Sequence, residues 1–386
     1  MNKLALEMDW DSLKLQVPSS PAFIIDEMAI VKNLQKLAAL RLASGCKVLY
    51  SVKALPLQAV LNLCSDFVDG FSVSSLFEAR LASELSLGSG TIHLATPGIK
   101  ADQILELGRL CSHISFNSIN QFNHLAEQVA TMASLGIRIN PKLSFLADHR
   151  FDPCTKYSKL GVDIGQFQFA SGQKAIQGLH IHTLFAATSF MPLSETVSKL
   201  RQLLGDQLQQ LDWLNLGGGY LYDEIDDNSL FVALVKQLID DFCLEVYIEP
   251  GKAIVGQAGY LMATVIDSFV SDGKHIMVLD SSVNHHPEVF EFQQSPQLVG
   301  HEAHGSFQAS LVGCSCLAGD VFGEYKFDKA LKIGDRVVFK NLGAYSLVKA
   351  NRFNGINFPD LYGVNQDGIR LLKCYGYEHY REQWCF

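Results

Sequence analysis

Short apolar, β-branched runs alternate along most of the chain with longer segments whose apolar residues recur every three or four positions. Ile30, Leu34 and Leu37 show this helical spacing directly after the strand-like run AFIID. About eight strand-like runs are separated in this way, from AFIID and KVLYSVKA to WLNLGGG and EVYIEPG. Repeated strand–helix alternation predicts a parallel sheet, and eight repeats is the number that closes a barrel. The pattern therefore predicts an α/β fold with a (β/α)8 TIM barrel over residues 23–255, and a doubly wound open sheet is the alternative.

The pattern changes after about Gly256, where strand-like runs follow one another with few helical segments between them. These runs include YLMATVIDSFV, KHIMVLDSSV and DRVVFKNLG, and the segments SDGK and IGDR have the composition of tight turns. We therefore predict a β-rich second domain over residues 256–386, which residues 1–22 join.

Composition narrows the class of protein. The chain has 386 residues, of which 48% are hydrophobic and 18% charged, so it can form a large core. The formal net charge of −9 is spread without a long basic block, which argues against a nucleic-acid binder or a binder of anionic membranes. The nine cysteines form no CxxC pair, and the first residues lack a continuous apolar run. These features predict a cytoplasmic protein with no secretory signal and no membrane span.

Lys53 ends the apolar run KVLYSVKA and precedes the helix that Pro56 is predicted to open. In a barrel the carboxyl ends of the strands carry the chemistry, so Lys53 would point into its mouth. Partial burial there would lower the pKa of the ammonium group and favour a Schiff base with an aldehyde cofactor. A lysine that is simply solvated at a strand end is the alternative.

Two further predicted strand ends carry glycines and a carboxylate. Gly217, Gly218 and Gly219 in LNLGGGY would let backbone N–H groups approach a phosphate, although glycine clusters also form ordinary turns. Glu249 in IEPG would face the pyridinium nitrogen of a cofactor, and a surface acid before a Pro-Gly turn is the alternative.

His180 and His182 alternate in GLHIHTLF and therefore project from the same face of a strand. Three interpretations stay open: two metal ligands of a barrel hydrolase, one imidazole lying flat over a planar cofactor ring, or a hydrogen-bonded pair in the core. The metal interpretation requires further ligands, for which the candidates are Asp280, His285 and His286.

The last third of the chain contains further reactive groups. GCSCLAGD brings Cys314, Cys316 and Asp320 into one short segment. A Cys-x-Cys pair could bind a metal or be redox-active, whereas a thiol could instead donate a proton and an aspartate could anchor a substrate amine. No second cysteine pair completes an all-thiolate zinc site. Farther on, GAYSLVKANRFNG offers Tyr345, whose phenol could bond a phosphate, and a polar loop at Phe353 and Asn354. Taken singly, each of these groups is explained as well by packing or turn formation.

The order of these pieces resembles the alanine-racemase-like, fold-type III PLP-dependent decarboxylases. A strand-end lysine, a histidine, a GGG, an EPG, a Cys…Asp loop, a GAY and an FNG follow one another over nearly the whole chain. The family includes ornithine, diaminopimelate and carboxynorspermidine decarboxylases. The segments most similar to its carboxynorspermidine/carboxyspermidine branch are FNSINQF, GIRINP, CLAGDVFGEYKF, KIGDRVVF, YSLVKANRFNGINFP and YGYEHY. The resemblance implies a lyase of spermidine or related polyamine biosynthesis that releases CO2 from a carboxylated polyamine.

The resemblance also implies a role for each residue. Lys53 would hold pyridoxal 5′-phosphate covalently with His182 stacked on its ring, while Glu249 would pair with the pyridine nitrogen. Gly217–Gly219 and Tyr345 would contact the phosphate. The α-carbon would regain a proton from Cys316 or Lys53, and the loop of Cys316 and Asp320 would enter the barrel of a neighbouring subunit in a homodimer with shared sites. The substrate-binding residues implied in this way are Asp320, Asp280, His285 and Glu288.

Three segments depart from the carboxynorspermidine pattern. TLFAATSF stands where polar residues ending in a glutamate are usual, Lys252 follows EPG where a glutamate is usual, and LYSVKALPL looks more like ornithine decarboxylases. The substrate tail is therefore open, and another diamino acid or a siderophore-type amino carboxylate is an alternative substrate. The chain could instead be an amino-acid racemase, a non-catalytic PLP-handling protein or a metal-dependent barrel hydrolase.

Overall fold

The computed structural model describes residues 8–85, 90–168 and 176–385. These residues form two compact units, which are Ile30–Ile254 and the described residues up to Ala29 together with those from Val255 onward. The strands, numbered along the chain, are β1 (Ala22–Asp26), β2 (Lys47–Ser51), β3 (Gly70–Val73), β4 (Thr91–Ala95), β5 (His113–Phe116), β6 (Ser134–Asn140), β7 (Val162–Asp163), β8 (Gly178–Ile181), β9 (Trp213–Asn215), β10 (Glu245–Ile248), β11 (Gly259–Ser271), β12 (Lys274–Leu279), β13 (Phe307–Val312), β14 (Val321–Phe327), β15 (Arg336–Lys340), β16 (Asp360–Asn365) and β17 (Gly368–Lys373). The α-helices are α1 (Trp10–Gln16), α2 (Glu27–Ser44), α3 (Gln58–Ser65), α4 (Leu76–Leu85), α5 (Ile104–Leu110), α6 (Ile119–Leu125), α7 (Met191–Leu204), α8 (Ser229–Phe242), α9 (Lys252–Val255), α10 (Glu288–Phe292), α11 (Ser346–Lys349) and α12 (Tyr377–Trp384).

The unit Ile30–Ile254 contains the predicted parallel barrel. Its strands follow the order β2-β3-β4-β5-β6-β8-β9-β10, and β10 pairs with β2 to close the ring. The short strand β7 pairs with the end of β6. Eight parallel strands with helices between them confirm the (β/α)8 barrel that the alternation of apolar runs predicted.

The buried positions of α8 show why the helical segments form as predicted. They recur at intervals of three and four residues, so that one face of the helix meets the barrel. The buried residues of α8 are Phe231, Leu234, Val235, Leu238 and Phe242. Cys243 adopts a left-handed backbone with φ 57° and donates its N–H to the carbonyl oxygen of Ile239, which ends the helix.

Aromatic side chains fill the barrel where its strands begin. Trp213 packs against two strand positions that lack a side chain: a Cβ on Gly178 or Gly136 would lie 2.0 or 2.4 Å from atoms of its ring. The imidazoles of His93 and His113 stack with ring centres 3.8 Å apart, and the centre of the His113 ring lies 5.3 Å from that of Trp213. These side chains plug the amino-terminal end of the barrel.

The second unit is built on a mixed sheet with strand order β14-β13-β12-β11-β1-β16-β17, and β15 also pairs with β11. Its core contains Val17, Ala22, Ile24, Met262, Val338 and Tyr362. Of the segment 1–22 that was predicted to join this domain, residues 8–22 belong to the unit and residues 1–7 lie outside the described residues.

The predicted start of the barrel at residue 23 is wrong. The run AFIID is β1, which pairs antiparallel with β11 and parallel with β16 in the mixed sheet. Both partners lie more than 200 positions away along the chain, so the local pattern of a strand followed by α2 could not reveal them. The first barrel strand is β2.

Candidate active site

Four of the predicted groups lie at one edge of the barrel, where the parallel strands end. Lys53 lies in the short 3-10 turn Val52–Ala54 directly after β2, and Gly217–Gly219 follow β9. His182 follows β8, and Glu249 follows β10. Because the barrel strands all run in one direction, their carboxyl ends share this edge. The structure thus brings the lysine, the histidine, the glycines and the carboxylate to the same end of the barrel.

Glu249 is held in place by neighbouring strands. Its carboxylate is buried, and Oε1 accepts a hydrogen bond of 2.8 Å from Nδ2 of Asn215. Oδ1 of Asn215 in turn accepts a hydrogen bond of 2.9 Å from the N–H of Gly217. Oε2 of Glu249 lies 3.4 Å from Nε2 of His180. Asn215 therefore joins the carboxylate to the glycine segment.

Burial and charge act in opposite directions on Glu249. Burial raises the pKa of Glu249, but the interactions with His180 and Lys53 together outweigh it, so the pKa lies well below its usual range. Burial is the largest influence on the ammonium group of Lys53 and lowers its pKa, which Glu249 partly offsets. Burial likewise lowers the pKa of His180. A lysine with a lowered pKa is a better nucleophile toward an aldehyde, and a nearby anionic carboxylate suits a cofactor nitrogen that carries a proton.

The imidazole of His182 is fixed by the glycine segment. Nδ1 accepts a hydrogen bond of 3.1 Å from the N–H of Gly218, which places the proton of the neutral ring on Nε2. Burial, followed by the charge of Lys53, lowers the pKa of His182 well below its usual range and keeps the ring neutral.

Glycine is required in this segment because neighbouring backbone atoms leave no room for a side chain. A Cβ on Gly218 would lie 2.2 Å from the carbonyl oxygen of Glu249, and one on Gly217 would lie 2.3 Å from that of Ile181. Gly217 and Gly219 also have φ of +68° and +99°, which side-chain-bearing residues rarely adopt. Strand packing alone accounts for these glycines, and their contact with a phosphate stays a prediction.

Three side chains that sequence reasoning missed belong to the same environment. Arg138 on β6 is buried, and its charge lowers the pKa of Lys53 further. Glu78 on α4 accepts a hydrogen bond of 2.6 Å from the N–H of Ser74, and its charge also acts on Lys53. Asn215, described above, is the third. Alternation carried a signal for two of them, because Arg138 in GIRIN and Asn215 in WLNLG are polar residues on the interior face of predicted strands.

In the second unit, Asp320 organises the loop that carries Cys316. Its buried carboxylate accepts hydrogen bonds of 2.8 Å from the N–H of Val283 and 3.0 Å from the N–H of Ser315, and another from the Ser315 hydroxyl. Cys316 is exposed, and its N–H donates a hydrogen bond of 2.8 Å to Oδ1 of Asn354. The contacts give Asp320 a loop-shaping role, and its contact with a substrate amine stays a prediction.

Asp280 and His285 follow β12 and both have partners within their own unit. Asp280 accepts a hydrogen bond of 2.8 Å from the N–H of Thr264, and burial raises the pKa of its carboxyl. Nδ1 of His285 lies 3.0 Å from Oγ of Ser281, and burial lowers the pKa of His285 to about 4. The predicted contacts of both residues with substrate are therefore not visible in the geometry of this unit and stay predictions.

Tyr345 adopts a left-handed backbone with φ 68° directly before α11, a conformation that is costly for an aromatic residue. Burial raises the pKa of Tyr345 to about 12, so its phenol is protonated at neutral pH and can donate a hydrogen bond. Nζ of Lys349 lies 5.5 Å from the centre of the Tyr345 ring and 3.8 Å from Oε1 of Glu288. Backbone strain of this kind concentrates at functional sites, and the contact of Tyr345 with a phosphate stays a prediction.

Two of the departures noted in the sequence lie side by side in the barrel unit. Lys252 begins α9 directly after EPG, and its Nζ lies 5.0 Å from the ring centre of Phe185 in TLFAATSF. A cation at this distance from an aromatic ring is attracted to its face. The two departures therefore form one feature of this chain.

Within residues 8–85, 90–168 and 176–385, no group of three or more His, Cys, Asp and Glu side chains is arranged to hold a metal ion. The hydrolase interpretation of His180 and His182 therefore lacks its further ligands in this part of the chain. None of the helices formed by these same residues is both long and apolar enough to cross a membrane.

Comparison with known proteins adds four findings. A family model described as "Pyridoxal-dependent decarboxylase, C-terminal sheet domain" matches residues 23–343. A carboxynorspermidine/carboxyspermidine decarboxylase of Campylobacter jejuni is 33% identical over 377 residues, which cover 94% of this chain and 97% of the relative. A carboxyaminopropylagmatine decarboxylase of Synechocystis is 32% identical over 371 residues, which cover 94% of this chain and 95% of the relative. Among solved structures, carboxynorspermidine decarboxylase from Campylobacter jejuni in complex with norspermidine has a TM-score of 0.87 and 31% identity, covering 95% of this chain and 100% of that chain.

Proposed function

Because the chain belongs to the family of pyridoxal-dependent decarboxylases, we propose that it removes CO2 from a carboxylated polyamine, carboxynorspermidine or carboxyspermidine. The observation that carries this proposal is the electrostatics at the carboxyl edge of the barrel, where a lysine of lowered pKa is coupled to an anionic, buried Glu249. The similarity of almost the whole chain to a decarboxylase of that name supports this choice of substrate. The net charge of −9 also suits a polycationic substrate.

We assign covalent attachment of pyridoxal phosphate to Lys53, and the surrounding residues fit that group. When bound, pyridoxal phosphate supplies an electron sink for the carbon from which CO2 departs. The lowered pKa of Lys53 increases the share of its amine that is neutral and nucleophilic. Glu249 stays anionic and stabilises positive charge on a pyridine nitrogen. His182, neutral and fixed through Gly218, offers a flat ring for stacking.

We assign the return of the proton to Cys316 and propose that the loop acts in the barrel of a second copy of the chain. Exposed apolar side chains belong to the same segments as the exposed thiol. Leu317 follows Cys316, Phe353 precedes the Asn354 that binds the Cys316 N–H, and the ring of Phe290 lies 3.6 Å from where a Cβ on Gly319 would be. Exposed apolar surface around a reactive group favours cover by another subunit, which supports a homodimer with shared sites. The phosphate contact of Tyr345 and the substrate contacts of Asp320, Asp280, His285 and Glu288 rest on the resemblance alone.

A second candidate substrate is carboxyaminopropylagmatine, because the Synechocystis relative with that activity in its name is almost as similar to this chain. That molecule ends in a guanidine, whereas carboxynorspermidine ends in a primary amine. The adjacent departures Lys252 and Phe185 lie in the barrel unit and distinguish this chain from the pattern of the carboxynorspermidine branch.

The deciding experiment measures CO2 release by the holoenzyme from six compounds at equal concentration. The compounds are carboxynorspermidine, carboxyspermidine, carboxyaminopropylagmatine, meso-diaminopimelate, ornithine and lysine. We expect the highest kcat/KM with one of the first two, and a Lys53→Ala variant serves as the inactive control. A preference for carboxyaminopropylagmatine would select the second candidate, and activity confined to the last three would refute both.

Attachment of the cofactor is tested separately from activity. Borohydride reduction of the yellow holoenzyme should fix the cofactor to the peptide that contains Lys53, as read by mass spectrometry. Lys53→Ala should lose this adduct, whereas Lys252→Ala, a change at another lysine of the same barrel unit, should keep it. A colourless protein with stoichiometric zinc, or an adduct on another lysine, would contradict the assignment.

The shared site is tested by mixing two inactive variants. Lys53→Ala and Cys316→Ala protomers that exchange should form hybrid dimers in which one of the two sites is intact, so part of the activity should return. Demonstrated exchange without any recovery would count against a site built from two copies.

A further inference from the structure

The loop that carries Cys316 is held on one side by a short turn that follows α11. The N–H of Cys316 donates its hydrogen bond of 2.8 Å to Oδ1 of Asn354, which lies in the turn Phe353–Gly355. Asn354 has a left-handed backbone with φ 57°, and Gly355 follows with φ 72°. The left-handed backbone of Asn354 therefore directs its side-chain amide to the N–H of Cys316.

Arg352 ties this turn to the C-terminal helix α12. Its Nη1 donates a hydrogen bond of 2.7 Å to the carbonyl oxygen of His379 in α12. The guanidinium carbon lies 4.4 Å from the ring centre of Phe358 and 5.6 Å from that of Tyr375. A planar guanidinium that is stacked and hydrogen-bonded has little freedom to move, so α12 fixes the position of the turn.

The hydrogen bonds that hold the Cys316 loop bind its backbone and leave the side chain of Cys316 exposed. On the inner side, the Asp320 carboxylate binds the N–H groups of Val283 and Ser315. On the outer side, Asn354 holds the backbone of Cys316, while the side chain of Cys316 itself is exposed. The backbone of the residue is thus fixed while its thiol can reach another group.

We propose that Asn354 is a positioning residue for Cys316, and that Arg352 and α12 hold Asn354 in place. This inference rests on the proposed function, in which Cys316 returns the proton. In that step the bond between the α-carbon and the carboxyl carbon breaks and CO2 leaves, while its electron pair stays on the substrate side. The S–H bond then breaks, its proton forms the new C–H bond, and the thiolate regains a proton from solvent. Proton transfer requires close and oriented contact, so a shift of the Cys316 backbone slows it.

Substitutions at Asn354 separate the hydrogen bond from the backbone conformation. Asn354→Gly removes the acceptor but keeps the left-handed conformation without steric cost. Asn354→Asp keeps an acceptor oxygen in a residue that also tolerates this conformation. Asn341 provides the matched control, because it is an exposed asparagine of the same unit with φ 66° whose Nδ2 donates a hydrogen bond of 2.8 Å to Oε1 of Gln297.

Two readouts on the full-length holoenzyme test the proposal. In steady-state decarboxylation of carboxynorspermidine, Asn354→Gly should lower kcat about tenfold, the size expected for loss of one hydrogen bond, with KM changed less than about twofold. Asn354→Asp should restore kcat to within about threefold, and Asn341→Gly should match the unmodified enzyme. In the absence of substrate, the rate of Cys316 alkylation by iodoacetamide should change several-fold in Asn354→Gly alone, with Cys243 as an exposed internal reference.

Wild-type kcat together with a wild-type rate of Cys316 alkylation in Asn354→Gly would overturn the positioning role. A loss of kcat that Asn354→Asp does not rescue would also overturn it, because the acceptor would then be irrelevant. A Cys316→Ala variant that decarboxylates at the wild-type rate would refute the proposed proton donor instead. The alkylation rate still decides the positioning of Cys316 in that case, since it does not depend on the chemistry.

Discussion

Replacing Asn215 with alanine would remove the hydrogen bonds that join the buried carboxylate of Glu249 to the glycine segment. Asn215 is 1% exposed. Its Nδ2 donates a hydrogen bond of 2.8 Å to Oε1 of Glu249, and its Oδ1 accepts one of 2.9 Å from the N–H of Gly217. A hydrogen bond to a charged acceptor is worth about 2 kcal/mol and a neutral one about 1 kcal/mol, so the free energy of unfolding should fall by about 3 kcal/mol. Glu249 would also lose the donor that orients it, so kcat should fall at least tenfold.

The assay compares Asn215→Ala with a matched variant, Asn140→Ala. Asn140 is also buried at a strand end. It donates a hydrogen bond of 3.1 Å to the carbonyl oxygen of Leu160 and accepts one of 2.9 Å from the N–H of Lys142. Urea unfolding should show a similar loss of stability in both variants, while the loss of kcat should be larger in Asn215→Ala. Unchanged kcat in Asn215→Ala, or an equal loss in both, would show that the bridge to Glu249 does not support catalysis.

Two further predictions concern backbone packing and pH. Gly218→Ala would place a Cβ 2.2 Å from the carbonyl oxygen of Glu249 and should lower the midpoint of thermal unfolding and the bound cofactor, whereas Gly98→Ala, where nothing lies within 4 Å, should change neither. Burial lowers the pKa of His286 to about 4 from 6.5, so the folded state binds fewer protons than the unfolded state between these values and its stability falls as the pH drops through this window. The loss of unfolding free energy reaches about 3 kcal/mol for this group. Urea unfolding at several pH values should show that the stability of His286→Asn depends less on pH than that of the unmodified protein. An unchanged pH dependence would show that His286 is not the group responsible.

The barrel was predictable because its signal is local. Each strand is followed by its own helix, and periods of two and of three to four residues are visible within a single segment. The assignment of β1 failed for the opposite reason, since β11 and β16, which flank it, come from the far end of the chain. Arg138 and Asn215 were missed, although alternation carries a signal that they face the barrel interior, and nothing local reveals that Asn215 joins Glu249 to Gly217.

The contacts of the Cys316 loop were beyond sequence reasoning for the same physical reason. Asn354 lies 38 positions from Cys316, and Val283 lies 37 positions from Asp320. Motif order indicated that these segments matter together, but not which atom binds which. Only the folded mixed sheet brings such distant segments within hydrogen-bond reach.

The aromatic side chains at the amino-terminal end of the barrel limit how substrate and product can enter and leave. His93 and His113 stack on each other and the ring of Trp213 meets that of His113 edge-on, so a linear amine cannot pass through that end of the barrel. Substrate and product therefore both use the carboxyl edge of the barrel strands, the edge that Lys53 and Glu249 follow. Product amine bound at this edge excludes substrate from it. The product should therefore inhibit the reaction competitively with respect to substrate.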